Sequence, residues 1–321
     1  MRHVVYPFWN SSQRRPRALW RIVLFLLVMS LLMFALIFIL PPFRYEVSPF
    51  VEVVSILLAA WASAWLWDRR PFADYGFHFN SQWWRDFGFG LMLGALLMTG
   101  IFLVEWMAGW VEVVDTIHEG VLPGAFLPSW VFFLMTFVAV GISEELLTRG
   151  YLIRNLAEGL NMPPLHEKYA VLLAWLITAV VFGLLHLGNP HMNTLSTANL
   201  IVAGLFLGLG YIMTGELAIP IGLHTSWNFF QGNVFGFPVS GISRFRQVTL
   251  IATKQHGPEL WTGGAFGPEG GLLSLVAMMG GSVLILLWLR HHNGHLHLAT
   301  NIATYPHTSA KVPAAESPAK A

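Results

Sequence analysis

The chain has 321 residues, of which 55% are hydrophobic and 11% are charged. Soluble proteins usually carry about 25% charged residues, so this composition excludes a water-soluble globule and indicates a polytopic membrane protein. The net charge of +1 gives no indication of a nucleic-acid partner, and the absence of cysteine excludes disulfides, thiolate metal sites and a cysteine nucleophile.

Eight segments are apolar over a length that can cross a bilayer, which takes about 20 residues as a helix. They lie near residues 20–40, 49–67, 87–108, 127–148, 169–187, 198–214, 217–235 and 271–290. The fold class that they predict is all-α, a polytopic transmembrane bundle of about eight spanning helices. The first segment is too long for a secretory signal, and no cleavage site of small residues follows it before Pro41.

The Lys and Arg residues predict the orientation of these segments, because they collect on the cytoplasmic side of a membrane. If the amino terminus is inside, only four of the 18 basic residues fall outside, namely Arg44, Arg244, Arg246 and Lys254. Both termini are therefore expected in the cytoplasm. The basic arm at the start of the chain is expected to face lipid headgroups, and residues 308–321 are expected to be disordered.

Three charged residues, Glu144, Glu145 and Arg149, lie inside the fourth apolar segment or at its end. Ionisable residues at membrane depth are costly and usually face a cavity, a partner or a reaction. Glu145 and Arg149 share one helical face, whereas Glu144 points about 100° away. One carboxylate can therefore be held by the guanidinium while the other acts as a general base on water. The alternative is a structural ion pair that closes the helix at the interface.

Two further pairs with the same four-residue spacing place polar side chains in apolar segments. Phe182 and His186 end the fifth segment, where the ring could support the imidazole, although a lone histidine at a helix end is usually interfacial. His224 and Asn228 share one face of the seventh segment and could hold a metal, donate to an oxyanion or bridge helices. If the three helices meet, these residues and the two carboxylates suit hydrolysis.

The meeting of these residues places a condition on the fourth helix. With the amino terminus inside, Glu144 falls near the inner end of the fourth segment, whereas His186 falls near the outer end of the fifth. The two residues meet only if the fourth helix continues past Arg149 through Leu156, or if the fifth helix begins later than its hydropathy indicates.

In chain order, the motifs EExxxR at residues 144–149, FxxxH at 182–186 and HxxxN at 224–228 resemble the three signature motifs of the CPBP intramembrane proteases. This family includes type II CAAX prenyl endopeptidases and bacterial lysostaphin-resistance and bacteriocin-immunity proteins. The resemblance runs from about Phe126 to Gly241 and includes an aromatic and glycine-rich stretch, 235–241, that often follows the third motif in bacterial members.

The resemblance implies that Glu144 and His186 activate the attacking water, while His224 and Asn228 stabilise the oxyanion or hold a metal. The other two residues of the first motif would support the base. The predicted catalytic residues are Glu144, Glu145, His186, His224 and Asn228, with Arg149 and Phe182 as supporting residues.

A divalent metal such as zinc is one of two alternatives for the cofactor. His186, His224 and a carboxylate match the ligand types of a catalytic zinc site, yet they fit equally a glutamate base with a histidine and asparagine oxyanion site. The HExxH motif of zincins is absent, since the His-Glu pairs at 118–119 and 166–167 lack the second histidine. Four histidines within 291–297 are more typical of a solvated helix end than of a metal site.

The favoured function is an intramembrane endopeptidase of the bacterial plasma membrane that cleaves a membrane-associated protein or peptide with an activated water. The alternative is a non-catalytic immunity factor or scaffold that uses the polar core for helix packing. A transporter is disfavoured, because no pair of broken helices is repeated. The predicted parts are a cytoplasmic basic arm, N-terminal transmembrane helices, a CPBP-like catalytic core, an outer loop with the last helix, and a His-rich segment with the disordered tail, at residues 1–19, 20–125, 126–241, 242–290 and 291–321.

Overall fold

A computed structural model describes residues 7–39, 48–120 and 124–305. The predicted disordered tail, the first six residues of the basic arm and Arg44 lie outside these residues. Within them, seven helices are long and apolar enough to span a membrane. Their outward faces expose large apolar side chains such as Phe34 and Trp65, which are 68% and 73% accessible. Such a surface suits contact with lipid, and the predicted all-α transmembrane bundle is confirmed.

The α-helices are α1 (Ala18–Ile39), α2 (Ser48–Ser63), α3 (Ser81–Met107), α4 (Phe126–Glu145), α5 (Arg154–Leu160), α6 (Glu167–Leu185), α7 (Thr194–Thr214), α8 (Ala218–Phe229), α9 (Glu259–Thr262) and α10 (Leu272–Asn293). Three π-helical turns extend or join them, Ala64–Asp68 after α2, Leu146–Ile153 between α4 and α5, and Phe230–Val234 after α8. The strands are β1 (Trp9–Asn10), β2 (Arg15–Pro16), β3 (Val111–His118) and β4 (Thr249–Gln255).

α4 and α5 form one continuous helix, because the π-helical turn joins them without a break. The combined helix has 35 residues, Phe126–Leu160. The predicted end of the fourth span at residue 148 is therefore wrong. Since no proline lies between Arg149 and Leu160, the helix continues past Leu156, and Glu144 lies near its middle. This extension is one of the two arrangements that allow Glu144 and His186 to meet.

α8 corresponds to the seventh predicted span but is shorter, with 12 α-helical residues and a π-helical turn of 5 residues. Every one of the 12 is buried, so other helices and not lipid surround α8. Gly90 and Gly94 of α3 allow this close packing, since a Cβ at either position would collide with the α8 backbone.

The connecting segments gather at two ends of the bundle. Both described chain ends lie at the first, named the termini end, which comprises residues 7–17, 69–80, 161–166, 215–217 and 294–305. There the Arg15 guanidinium lies 3.6 Å from the centre of the Tyr305 ring, and the Tyr305 hydroxyl donates to the Arg69 carbonyl at 2.8 Å. Because the chain begins and finishes at one end, it crosses the bundle an even number of times. α8 and its π-helical turn therefore complete an eighth crossing.

The opposite end, named the β3–β4 end, comprises residues 108–120, 124–125, 186–193 and 235–271. Here β3 pairs antiparallel with β4, a small sheet that hydropathy did not predict. The Asn189 side chain donates to the Ser240 carbonyl at 3.1 Å, and Asn199 of α7 donates to the Gly271 carbonyl at 2.8 Å. These bonds hold segment 235–271 against the helices.

Candidate active site

Glu145, at the end of α4, binds the side chains of Arg149 and His224. Its side chain is fully buried, and its Oε1 accepts hydrogen bonds from Arg149 at 2.9 Å and from Nδ1 of His224 at 2.7 Å. The second terminal nitrogen of Arg149 donates to the Gly204 carbonyl at 3.1 Å. The i,i+4 pair predicted from the sequence is therefore present, and it joins α4 to α7 and α8.

Phe182 occupies the centre of this group of side chains. The Arg149 guanidinium carbon lies 4.5 Å from the centre of the Phe182 ring, a cation–π contact. The ring centre lies 4.9 Å from the His186 ring and 6.2 Å from the His224 ring. Phe182 thus packs against residues of all three motifs.

The two histidines have defined hydrogen-bonding roles. Nδ1 of His186 lies 2.8 Å from the Phe182 carbonyl oxygen, which can only accept, so Nδ1 carries the proton and Nε2 of the neutral ring is an acceptor. Nδ1 of His224 donates to the Glu145 carboxylate in the same way. Nε2 of His224 lies 3.9 Å from Oε2 of Glu144.

Glu144 is the less restrained of the two adjacent carboxylates. Its side chain is 24% exposed, yet its Oε2 is buried and has no hydrogen-bond partner in the described part of the chain. Buried polar atoms are nearly always hydrogen-bonded, so an unpaired carboxylate oxygen needs a functional or solvent partner. The arrangement predicted from the helical spacing is thus observed. Arg149 binds Glu145, and Glu144 on a different face of the helix is less restrained.

Four of the predicted catalytic residues, Glu144, His186, His224 and Asn228, line one cavity of about 410 Å³. Glu145 does not line it and lies behind His224. The cavity walls are largely apolar and include Phe137, Leu200, Ala203, Phe206, Leu207, Leu223 and Met278. A cavity of this size, with a few convergent polar groups, is typical of a ligand site.

Sequence reasoning missed several polar residues of the same cavity. They include Glu52, Asn189, Ser240, Arg244 and Glu269. Glu52 carried a readable signal, since it is an acidic residue inside the second apolar segment, as Glu144 is inside the fourth. Ser240 and Glu269 lie between α8 and α10; Ser240 belongs to the aromatic and glycine-rich stretch 235–241, which did not identify it as a site residue, and no pattern identifies Glu269. Burial raises the pKa of the Glu269 carboxyl, whose oxygen accepts the backbone N–H of Ser240.

The same cavity contains the histidines and carboxylates that are the candidate ligands for a metal. In residues 7–39, 48–120 and 124–305, no group of three or more His, Asp or Glu side chains is placed to hold a metal ion. A catalytic zinc takes three protein ligands, and the hydrogen bond from Nδ1 of His224 to Glu145 leaves Nε2 of that ring available as a ligand. The described residues thus offer two histidines but no group of three ligands, and both alternatives, a divalent metal and a metal-independent glutamate base, stay predictions.

Comparison with known proteins gives one match. Residues 126–230 match the family model described as type II CAAX prenyl endopeptidase Rce1-like. No curated protein and no solved structure matches the chain. The matched segment contains all three motifs and ends just after α8. The family predicted from those motifs is confirmed, and residues 126–230 of this integral membrane protein are a domain of the Rce1-like type II CAAX prenyl endopeptidase family.

Proposed function

We propose that the protein is an intramembrane endopeptidase that hydrolyses a peptide bond of a membrane-associated protein or peptide. The observation that carries this proposal is the meeting of Glu144, His186, His224 and Asn228 at one cavity. A buried oxygen of Glu144 lacks a hydrogen-bond partner among the described residues, which suits a group that must accept a proton. The description of the matched family as an endopeptidase supports the reaction class.

Glu144 acts as the general base. A water molecule donates one hydrogen bond to Glu144 and another to Nε2 of His186, which is an acceptor because Nδ1 is bound to the Phe182 carbonyl. As the water oxygen adds to the substrate carbonyl carbon, its proton passes to Glu144. His186 orients this water.

His224 and Asn228 stabilise the negative charge that develops on the carbonyl oxygen. The Asn228 amide donates one hydrogen bond, and Nε2–H of the protonated His224 ring donates a second. Glu145 and Arg149 are positioning residues, since they hold His224 through Nδ1 and do not line the cavity. When the carbon–nitrogen bond breaks, Glu144 returns its proton to the leaving amine, and the products are a carboxylic acid and an amine.

The proposal is tested by cleavage of a membrane-peptide library with the purified protein in nanodiscs. We expect wild type to cleave, Glu144→Ala, His186→Ala and His224→Ala to be inactive, and His295→Ala, at an exposed histidine after α10, to be as active as wild type. A chelator should not reduce cleavage by a glutamate base. Normal activity of the Glu144 variant would contradict the mechanism, inhibition by the chelator would favour a metal, and an inactive wild type would favour the non-catalytic scaffold.

The proposal includes the location predicted from the basic residues, with the termini end in the cytoplasm. The basic residues of the connecting segments support this location. Arg14, Arg17, Arg69 and Arg70 lie at the termini end, whereas Arg244, Arg246 and Lys254 lie at the β3–β4 end.

A further inference from the structure

The connecting segments that line the cavity come from one end of the bundle. Asn189 belongs to the segment between α6 and α7, and Val239, Ser240, Arg244 and Glu269 belong to segment 235–271. All of them lie at the β3–β4 end. Among the described residues, no lining residue belongs to a segment of the termini end. The cavity is therefore bordered by polypeptide that emerges on the side opposite the chain ends.

Several helical residues that line the cavity also lie close to the β3–β4 end. Pro49 and Glu52 lie in the first turn and a half of α2, and Leu185 is the last residue of α6. Leu200 and Met278 each lie in the second turn of their helix, α7 and α10. Each of these helix ends meets the β3–β4 end. The cavity therefore extends from the β3–β4 end to Glu144.

The opposite direction is closed by packed side chains. Below the catalytic residues, Tyr75, Tyr151 and Leu217 are each 0% exposed. Packing at Gly150 is so close that a Cβ there would lie 2.7 Å from the Tyr75 carbonyl oxygen. Packed side chains therefore separate this part of the termini end from the cavity, which has no lining residue in the described segments of that end.

The border of the cavity offers hydrogen-bonding groups. The Glu269 carboxylate lines the cavity, while its backbone carbonyl accepts from Asn199 of α7 and Ser274 of α10, both at 3.2 Å. These bonds fix the residue between two helices. Ser240 donates its backbone N–H to the Glu269 carboxylate, and its side chain is only partly buried. A peptide backbone that approaches from this side meets these polar groups before it reaches Glu144.

We propose that the substrate reaches the catalytic residues from the β3–β4 end, past Ser240 and Glu269. The substrate class is then a membrane protein or peptide whose cleaved segment is exposed on the side of the membrane opposite the chain ends. This inference deepens the proposed function and rests on it. It also assigns a role to segment 235–271, which lies outside the matched domain.

The absence of cysteine from the chain allows a direct test, because a single introduced thiol has no background. Three full-length variants would be compared, Ser240→Cys at the cavity, Ser243→Cys on the exposed surface of the β3–β4 end and Ser81→Cys on the exposed surface of the termini end. A membrane-impermeant maleimide is supplied first to one side of sealed membranes and then to the other. Ile242→Cys, also at the cavity, replaces Ser240→Cys if that variant is poorly expressed.

The expected result is that the cavity cysteine reacts from the side that labels Ser243→Cys and not from the side that labels Ser81→Cys. Reaction from the Ser81 side would overturn the proposal. Failure to react from either side would overturn it as well, because the cavity must admit water and a peptide. Labelling requires no cleavage, so its outcome is independent of whether Glu144→Ala abolishes activity.

Discussion

Two clusters of buried charged residues share the helix formed by α4 and α5, and they differ in how their carboxylates are paired. In the arginine cluster, at the termini end, Glu158 accepts hydrogen bonds from Arg15 at 2.8 Å, from Arg21 at 2.9 Å and from Arg70. Asp68 in the same cluster accepts from the Tyr75 hydroxyl at 2.5 Å. These carboxylates join α1, the end of α2 and α5.

In the second group, the proposed catalytic cluster of Glu144, Glu145, His186, His224 and Asn228, the carboxylates are less completely paired. One buried oxygen of Glu144 and one of Glu145 have no hydrogen-bond partner in the described part of the chain. The difference shows that burial of charge does not by itself identify a reaction site. Complete pairing indicates a structural role, whereas an unpaired oxygen beside a cavity indicates a group that is free to bind water.

Glu144→Gln should have the largest effect on activity and little effect on folding. The substitution removes a charge and a proton acceptor but breaks no hydrogen bond of the unpaired oxygen. We expect kcat/KM for peptide cleavage to fall by about 10²–10⁴-fold, the usual contribution of a general base. The melting temperature in nanodiscs should be unchanged or higher. A variant that cleaves normally, or that unfolds as easily as a core variant, would remove the distinction between the two clusters.

Glu158→Gln should have the opposite result, with a large loss of stability. Three buried guanidinium groups would lose the carboxylate that they share, and breaking a buried ion pair from one side costs about 3–5 kcal/mol. The measurement is thermal unfolding in detergent, together with the amount of protein in the membrane. Glu112→Gln is the matched control, because its side chain is 66% exposed and its ion pair is with the exposed His256. Equal melting temperatures for the two variants would contradict a structural role for the arginine cluster.

Arg149→Lys should reduce activity more than stability. Arg149 donates to Glu145 and to the Gly204 carbonyl through two different nitrogens, and a lysine ammonium cannot reproduce this fork. Because Glu145 would hold His224 less firmly, we expect kcat to fall by about 10–100-fold, the usual effect of losing a supporting residue, with little change in KM. Arg85→Lys, at an exposed position of α3, is the control. A rise in KM with normal kcat would instead indicate that Arg149 binds substrate.

Glu269→Gln should give the smallest effect, a change in how stability depends on pH. Burial raises the folded-state pKa of Glu269 above its ordinary value of 4.5. The stability that this raised pKa contributes is complete below 4.5 and is lost as pH rises through the folded-state pKa. As the pH rises above 4.5, the melting temperature of the variant should therefore fall less than that of wild type. Parallel pH profiles for the two proteins would contradict this expectation, and the exposed Glu259→Gln serves as control.

Local patterns in the sequence predicted much of the fold and the centre of the site. Hydropathy predicted the spanning helices, and the four-residue spacing predicted the contact between Glu145 and Arg149, which is 2.9 Å. Glu52 and Glu269 were not predicted as neighbours of Glu144, because their positions depend on how distant segments pack. The short length of α8 was also missed, since hydropathy does not distinguish a helix buried by protein from one buried by lipid.

Because of the π-helical turn between α4 and α5, the directions of Glu144 and Glu158 depend on the exact number of residues in this helix. Each i→i+5 hydrogen bond encloses one residue more than an α-helical bond, so one additional residue turns everything beyond it by about 100°. Glu144 lies before the turn and faces the cavity, whereas Glu158 lies after it and faces the arginines. Deleting a single residue within Leu146–Ile153 could restore a regular α-helix, yet it would rotate Glu158 away from its partners. A change in the number of residues here should therefore separate the arginine cluster from Glu158, whichever residue is deleted.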